Sequence, residues 1–405
     1  MKVLRELPPA AFALLTTLFN SILRVFGYPL LWKFEQIIMV PKPGKPTHEV
    51  ASYRTISLLP TPLKSEKLLL KQLQTDVDLF NLIPGYKFGF RHGHSPVQQG
   101  HRIVNEIMKR LEVRTLSRRH SMILPGCSTK CGTLAYCINW GSPSRVHTTC
   151  FWRHITLTAT SMSDIKTRAP TVTKWSLASP KGSVLGPLLY LLLTADLPTM
   201  EHTTIATFAD DTGLLAVHSD PDDDSQRLQN HLTLFHDWFE KWKISVNPPK
   251  SAHVTFTARH VTSPTVFWRT TPFSVTSEFK YLGLNLDRQL TWRKHIQTQC
   301  QQVYHKLHAM SWLLGRRSKL SLSNKILLYK CVLKSVWKYG IQLWGCAKPS
   351  NTQILQRFQF KILLNIANAP WYVSNLQLHT DMGISFVRTG IRRSSLVYHR
   401  GLTGT

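Results

Sequence analysis

The stretch Thr207-Phe208-Ala209-Asp210-Asp211-Thr212-Gly213 decides how this chain is read. Strand-like runs flank it, Thr203 to Phe208 before and Gly213 to His218 after, so the Asp pair falls at a hairpin tip. Adjacent carboxylates repel one another and resist burial. A divalent cation removes that penalty. Mg²⁺ (or Mn²⁺) prefers hard oxygen ligands and often takes one or two carboxylates together with substrate phosphates. In two-metal phosphoryl transfer one ion activates the attacking hydroxyl and the other steadies the leaving group. The plainer reading is a polar turn, and the tetrapeptide Asp-Asp-Thr-Gly alone does not decide between the two.

Outward from this hairpin the chain alternates helical and strand patterns. Asp224 to Lys243 predicts a helix, Ala252 to Phe256 a strand, and Thr291 to Leu314 one long amphipathic helix. Upstream, Gln36 to Val40 predicts a strand closed by the turn Pro41-Lys42-Pro43-Gly44. Phe12, Leu15, Phe19, Leu23 and Phe26 recur at helical spacing, which favours an amphipathic helix over a signal peptide. The apolar run Val184 to Ala195 is short and contains Pro187, so no membrane span is expected. At 405 residues and 43% hydrophobic, the chain suffices for about two or three lobes.

Charge narrows the function class. Fifty Lys and Arg stand against 22 Asp and Glu, a formal net charge of +28. An enzyme acting on small neutral molecules has no use for that excess, whereas a protein that tracks a phosphate backbone gains affinity from each counterion it releases.

Further blocks, in order, carry a family resemblance. Trp32-Lys33, Pro41 to Lys45, and Ser52-Tyr53-Arg54-Thr55-Ile56-Ser57-Leu58-Leu59 resemble the fingers motifs of jockey-type non-LTR retrotransposon reverse transcriptases, with Thr55 departing from the usual SYRPISLL. Phe88-Gly89-Phe90-Arg91 with Gly93-His94-Ser95 resembles the next block, and Pro180 to Pro187 resembles PQGSVLGP with Lys181 in place of Gln. The Asp pair resembles the F/Y-x-D-D motif. Trp238, Lys241 to Ile244 and Asn247-Pro248-Pro249-Lys250-Ser251 resemble the following palm motif, and Phe279 to Gly283 the primer grip. Leu290-Thr291-Trp292, His295-Ile296, Tyr339-Gly340, Trp344-Gly345 and Ala369 to Val373 resemble the helical segment beyond.

The resemblance implies an α+β right-hand polymerase fold of fingers, palm and thumb with a helical C-terminal part. It implies RNA-directed DNA synthesis with Mg²⁺ on an RNA template and DNA primer, from deoxynucleoside triphosphates. By carry-over Asp210 and Asp211 are metal ligands, and Lys42 and Arg54 hold template or nucleotide phosphates. Gly182 and Ser183 line the nucleotide site, and Lys250 is either a proton donor to pyrophosphate or a solvated lysine. The expected domains are 1–100 (N-terminal helix and fingers), 101–285 (palm, within a reverse-transcriptase region of about 23–286) and 286–405 (thumb and C-terminal helices). The Trp-rich C-terminal blocks are expected to be core rather than base-stacking platforms. By family behaviour the location is a nuclear or cytoplasmic ribonucleoprotein, and the missing upstream endonuclease suggests a fragment of a longer polyprotein.

One carboxylate is missing. The family carries a further aspartate before the PQGSVLGP block, in a phrase like FDKVWH, yet no Asp lies between Asp78 and Asp164, and Glu112 is the last carboxylate before Asp164. Codons for Ser128 to Trp140 can be chosen that, read one base earlier, spell FDKVWHTGLLYKL. A stretch of about 113–165 is therefore read as out of frame, which also accounts for its loss of periodicity and for its cysteines. Cys127, Cys131, Cys137 and Cys150 otherwise invite a zinc site, although no C-x2-C pair is present. Two alternatives stay open: Asp164 or Glu112 substitutes for the missing ligand, or the chain is a domesticated or relic nucleic-acid-binding protein without catalysis.

Overall fold

Leu214, Leu215 and Ala216 are fully buried in succession, a strand covered on both faces rather than one. They belong to the central sheet of this computed structural model, which describes residues 6, 8–25, 34–42, 44, 46–49, 52–58, 66–112, 119–128, 160–163, 171–174, 184–218, 221–242, 244–257 and 264–403. Before that sheet come α1 (Pro9–Val25), the hairpin β1 (Phe34–Pro41) and β2 (Tyr53–Leu58), α2 (Glu66–Leu79) and α3 (Pro96–Glu112). Then follow β3 (Arg119–Ser128), β4 (Thr160–Ser163), β5 (Thr171–Lys174), α4 (Gly186–Leu193), β6 (Thr203–Phe208), β7 (Asp211–His218), α5 (Pro221–Lys241) and β8 (Ser245–Phe256). Short strands β9 (Phe267–Trp268), β10 (Thr271–Pro272), β11 (Ser274–Val275), β12 (Glu278–Tyr281) and β13 (Leu284–Asp287) lead into the C-terminal helices.

The central sheet has the order β11-β8-β3-β7-β6. Its two faces follow the period-two rule. Ile205, Leu214 and Ala216 point one way, onto Leu228, Leu232, Phe235 and Phe239 of α5. Ala206 and Leu215 point the other way, joining Ile103, Val104 and Ile107 of α3. A second sheet, β2-β1-β4-β5, carries the N-terminal hairpin.

The helical part consists of α6 (Arg293–Ala309), α7 (Ser311–Leu314), α8 (Leu322–Leu328), a π-helical turn (Tyr329–Leu333), α9 (Lys334–Lys338), α10 (Ile341–Trp344), α11 (Pro349–Ala367), α12 (Asn375–Asp381) and α13 (Val387–Thr403). Trp292, Trp337, Trp344 and Tyr329 fill its core, which is continuous with the α3 face of the sheet. The Leu290-Thr291-Trp292 block is a helix start. Asp287 accepts hydrogen bonds from the backbone N–H of Thr291 (2.9 Å) and of Trp292 (3.0 Å), which holds Trp292 in the left-handed region at φ 62°.

Two expectations need correction here. The single helix from Thr291 to Leu314 begins at Arg293 and breaks at Met310, whose φ of −104° leaves the helical region, so that Leu314 turns into the core. The Trp-rich blocks are core at Trp292 and Trp344, but Trp371 is 88% exposed, with Tyr372 beside it at 73%. Among the described residues no helix is long and apolar enough to cross a membrane.

Candidate metal centre at a strained hairpin

β6 and β7 pair in register from Thr203–Ala216 to Phe208–Asp211, which leaves Ala209 and Asp210 as a two-residue turn. Asp211 therefore begins β7 rather than sitting in the turn. Ala209 has φ +53°, the positive angle that a type II′ turn requires at its first central position and that glycine normally supplies. A non-glycine residue held there is strained by about 1–3 kcal/mol, so the surroundings must fix it.

They do so through the Phe88-Gly89-Phe90-Arg91 block. The Phe88 N–H donates to Thr207 O at 3.1 Å, and Thr207 N–H donates to Tyr86 O at 3.3 Å, so residues 86–88 run alongside the end of β6. Gly89 packs its bare Cα face on the turn: a Cβ there would lie 2.0 Å from the Ala209 nitrogen. Tyr190 of α4 donates its hydroxyl to Ala209 O at 3.2 Å. From α3, Gln99 donates to Thr207 O at 3.3 Å and Arg102 to Ile205 O at 3.0 Å. The two carboxylates thus project from the turn and from the first residue of the strand after it, at a site clamped on three sides.

Asp210 and Asp211 are both exposed residues. The Asp211 carboxyl is nevertheless hemmed in enough that partial burial, and then the charge of Asp210, raises its pKa. Tyr281, on the neighbouring β12, is buried; burial first and Asp211 second push its phenol well above the usual range. A cation at this rim would relieve the repulsion between the two carboxylates.

The strand beside β7 does not complete the site. β3 pairs with β7 on one edge and β8 on the other, and Gly126 is the residue opposite Asp211. Across its ten residues, Arg-His-Ser-Met-Ile-Leu-Pro-Gly-Cys-Ser, β3 has no carboxylate. Among the described residues no group of three His, Cys, Asp or Glu is placed to hold a metal ion. Two adjacent carboxylates supply part of one coordination sphere. By themselves they do not fit a pair of ions held about 4 Å apart.

The other sequence-predicted residues are dispersed. Val40 pairs with Arg54 and the Lys42 N–H donates to Ser52 O at 2.8 Å, so Lys42 and Arg54 share one face of the β1–β2 hairpin, on the other sheet. Lys250 is exposed on β8, within a bulge: Leu124 pairs with Ala252 but Gly126 with Asn247, and Ser251 Oγ donates to Asn247 O at 3.0 Å. Asn247 lies two strands across from Asp211, about 10 Å by strand spacing. Gly182, Ser183, Lys181, Asp164, Cys131, Cys137 and Cys150 lie outside the described residues, and the Glu112 side chain does too.

Sequence reading missed the buried cation of this site. Lys87 is 2% exposed, its ammonium donates to Thr194 Oγ1 at 2.6 Å, and burial lowers its pKa to about 7 against the pull of Asp196. Its place between Tyr86 and Phe88, both partly buried, was the available signal.

Residues 139–286 match the family described as reverse transcriptase (RNA-dependent DNA polymerase), a span that begins inside the stretch read as out of frame and runs through the Asp hairpin. The chain is 35% identical over 423 residues to the RNA-directed DNA polymerase from mobile element jockey of Drosophila funebris, covering 99% of the chain and 45% of that protein. It is 33% identical over 408 residues to the probable RNA-directed DNA polymerase from transposon X-element of Drosophila melanogaster, covering 98% and 44%. Among solved structures, an apo telomerase from Candida tropicalis truncated from its C-terminal domain aligns with 64% of this chain and 54% of its own, at 12% identity and a TM-score of 0.41. The chain spans less than half the length of the curated relatives. The α+β architecture with its Asp hairpin is the right-hand polymerase fold, and the chain belongs with the reverse transcriptases of jockey-type non-LTR retrotransposons.

Proposed function

We propose that this chain is the polymerase segment of a retroelement protein, descended from an RNA-directed DNA polymerase and left with an incomplete metal site. It binds nucleic acid and does not extend a primer. Residues 1–100 serve as fingers, 101–285 as palm and 286–405 as thumb with C-terminal helices. Reverse transcriptases as a family depend on a divalent metal, and in this reading Asp210 and Asp211 are the surviving ligands for Mg²⁺ or Mn²⁺. Lys42 and Arg54 take template or nucleotide phosphates, a task suited to cationic donors. Gly182 and Ser183 line the nucleotide site and Lys250 supplies a proton to pyrophosphate in the intact ancestor. The ligands are an RNA template, a DNA primer and deoxynucleoside triphosphates.

The observation that carries this reading is Gly126 opposite Asp211 on a central strand without a carboxylate. The genetic code allows an out-of-frame origin for β3. The register that turns Ser128 to Trp140 into FDKVWHTGLLYKL puts that phrase's aspartate at position 129, outside the described residues, and yields a second one within β3: Met122-Ile123 reads as aspartate at position 123 whatever the isoleucine codon, since methionine is ATG and every isoleucine codon begins AT. Ile123 now pairs with Leu214, on the sheet face away from Asp211. For an aspartate there to meet Asp211, the repaired strand must slide along β7 by an odd number of residues.

Primer extension on an RNA template tests this. The chain as it stands should give no product, the frame-repaired chain should give product, and Asp210→Asn should abolish it there. Product from the unrepaired chain would overturn the incomplete-site reading. The second reading, a diverged RNA-binding protein, is favoured by the full strand that residues 119–128 form between β7 and β8. Limited proteolysis separates the two: rapid cutting within 113–165 supports the relic, and resistance supports the diverged protein.

A further inference from the structure

Residues 288–405 carry eighteen Lys and Arg and a single carboxylate, Asp381. That carboxylate is already engaged, accepting a hydrogen bond from Gln377 at 2.6 Å. Several of the cations gather on one side of the helical part. Lys330, Lys334 and Lys338 follow one another along the π-turn and α9, and Arg393 faces them from α13. Burial first, then Lys338, Lys330 and Arg393, lower the pKa of Lys334, as expected of cations crowded together. Such a cluster is stable only where an anion or water screens it.

Beside it lies a cleft of about 650 Å³, lined among others by Gln98, Lys338, Tyr339, Gln342, Arg393 and Tyr398. Its position is fixed by the elements that also fix the Asp hairpin. Gln98 and Gln99 are successive residues of α3: Gln99 holds Thr207 at the end of β6, and Gln98 lines the cleft. Tyr339 donates its hydroxyl to Leu282 O at 2.6 Å, in the turn that follows Tyr281. The cleft is thus about one helix diameter, ~10 Å, from the hairpin strand. Gln342 adds an amide whose oxygen is buried without a hydrogen-bond partner.

We propose that this cleft is a phosphate subsite for a single nucleic-acid strand passing the Asp hairpin, with Lys338 and Arg393 on the phosphates and an unpaired base against Tyr398. The proposal rests on the nucleic-acid reading above and adds a place and residues to it. The cleft has the size of a small-ligand site, far too small for a duplex. Its chemistry, exposed cations interleaved with aromatic rings, is that of a single-strand groove. The Lys338 and Arg393 side chains lie at the surface, so their removal leaves the core untouched.

Fluorescence anisotropy with a labelled oligoribonucleotide, on the full chain over a salt series without metal, tests it. Lys338→Gln/Arg393→Gln should lower the slope of log affinity against log salt by about 1.4, at ~0.7 per phosphate contact on a single strand. Tyr398→Ala should weaken binding about tenfold at unchanged slope, and Tyr398→Phe should restore it. Thermal unfolding of each variant checks that the fold is kept. If wild type binds and the double variant keeps its slope and affinity, the cleft assignment falls while the nucleic-acid reading stands. If wild type does not bind RNA at all, both fall. If inorganic phosphate displaces RNA only from wild type, the cations are confirmed as the phosphate contacts. If phosphate binds the cleft and RNA binding is indifferent to it, the strand assignment is overturned.

Discussion

β7 and β3 are neighbours in one sheet and are held there by different means. β7 buries Leu214, Leu215 and Ala216 against helices on both faces, and its first residue, Asp211, leaves a turn fixed by Gly89, Tyr190 and Gln99. β3 is joined on both edges by backbone rungs, to β7 and to β8, while its sequence brings Pro125 and Gly126 into the middle of the sheet and a register shift between Leu124 and Gly126. Backbone pairing is indifferent to side chains, so a strand slot between two good strands can be filled by residues with little strand preference. Metal chemistry is not indifferent: Gly126, the residue opposite Asp211, brings no ligand to it.

The largest effect that would test the comparison is catalytic. On the proposed out-of-frame reading, restoring the frame across 113–165 changes β3 and leaves β7 as it is, so primer extension should go from no product to measurable product. A repaired chain that stays inactive would mean that the damage extends beyond the missing ligand.

The next effect falls on the β7 side. Gly89→Ala sets a Cβ 2.0 Å from the Ala209 nitrogen and 2.8 Å from its Cα, backbone atoms that cannot swing away. The turn must shift, with an expected loss of about 1–3 kcal/mol or more. Gly85→Ala, with nothing within 4 Å of its Cβ, is the matched control and should be near neutral. Equal melting temperatures for the two variants would show that the turn is not clamped as described.

Lys87 gives a pH-dependent effect of similar or smaller size. Burial lowers its pKa from 10.5 to about 7 in the folded chain. Between those values the unfolded chain binds more protons, so stability rises with pH through that window, and the desolvation penalty is fully present below pH 7. Lys87→Met removes the penalty together with the bond to Thr194. It should stabilise the protein at pH 6 by about 1–3 kcal/mol and flatten stability between pH 7 and 10. A variant less stable than wild type at pH 6 would mean that the Thr194 and Asp196 contacts outweigh burial.

Much of the β7 side was legible in the sequence. The two strand-like runs in 203–218 mark the hairpin, and the Leu228, Leu232, Phe235, Phe239 spacing marks α5. What could not be read is long-range. Nothing local says that Ala209 adopts a positive φ, because the force that holds it comes from Gly89, some 120 positions earlier. Nothing in Ser121 to Ser128 announces a central strand; two partner strands impose it. The Met310 break, and the exposure of Trp371 after an Asn368 cap at φ 51°, likewise follow from how helices meet rather than from their own periodicity.

The smallest effect isolates one contact of the clamp. Tyr190 donates to Ala209 O at 3.2 Å from a ring that also meets Phe90 edge-on, with centroids 6.2 Å apart. Tyr190→Phe keeps the ring and removes only the hydroxyl. The bond is only part-buried, so the expected loss is about 0.5–1 kcal/mol, within the usual net worth of one hydrogen bond. The double variant with Gly89→Ala sharpens the measurement. If both residues fix the same strained turn, their effects should fall short of additive, because a turn already displaced by the methyl added at position 89 no longer offers its carbonyl to the hydroxyl. Strict additivity would mean that Gly89 and Tyr190 act on separate features, and that Ala209 keeps its left-handed angle for some other reason.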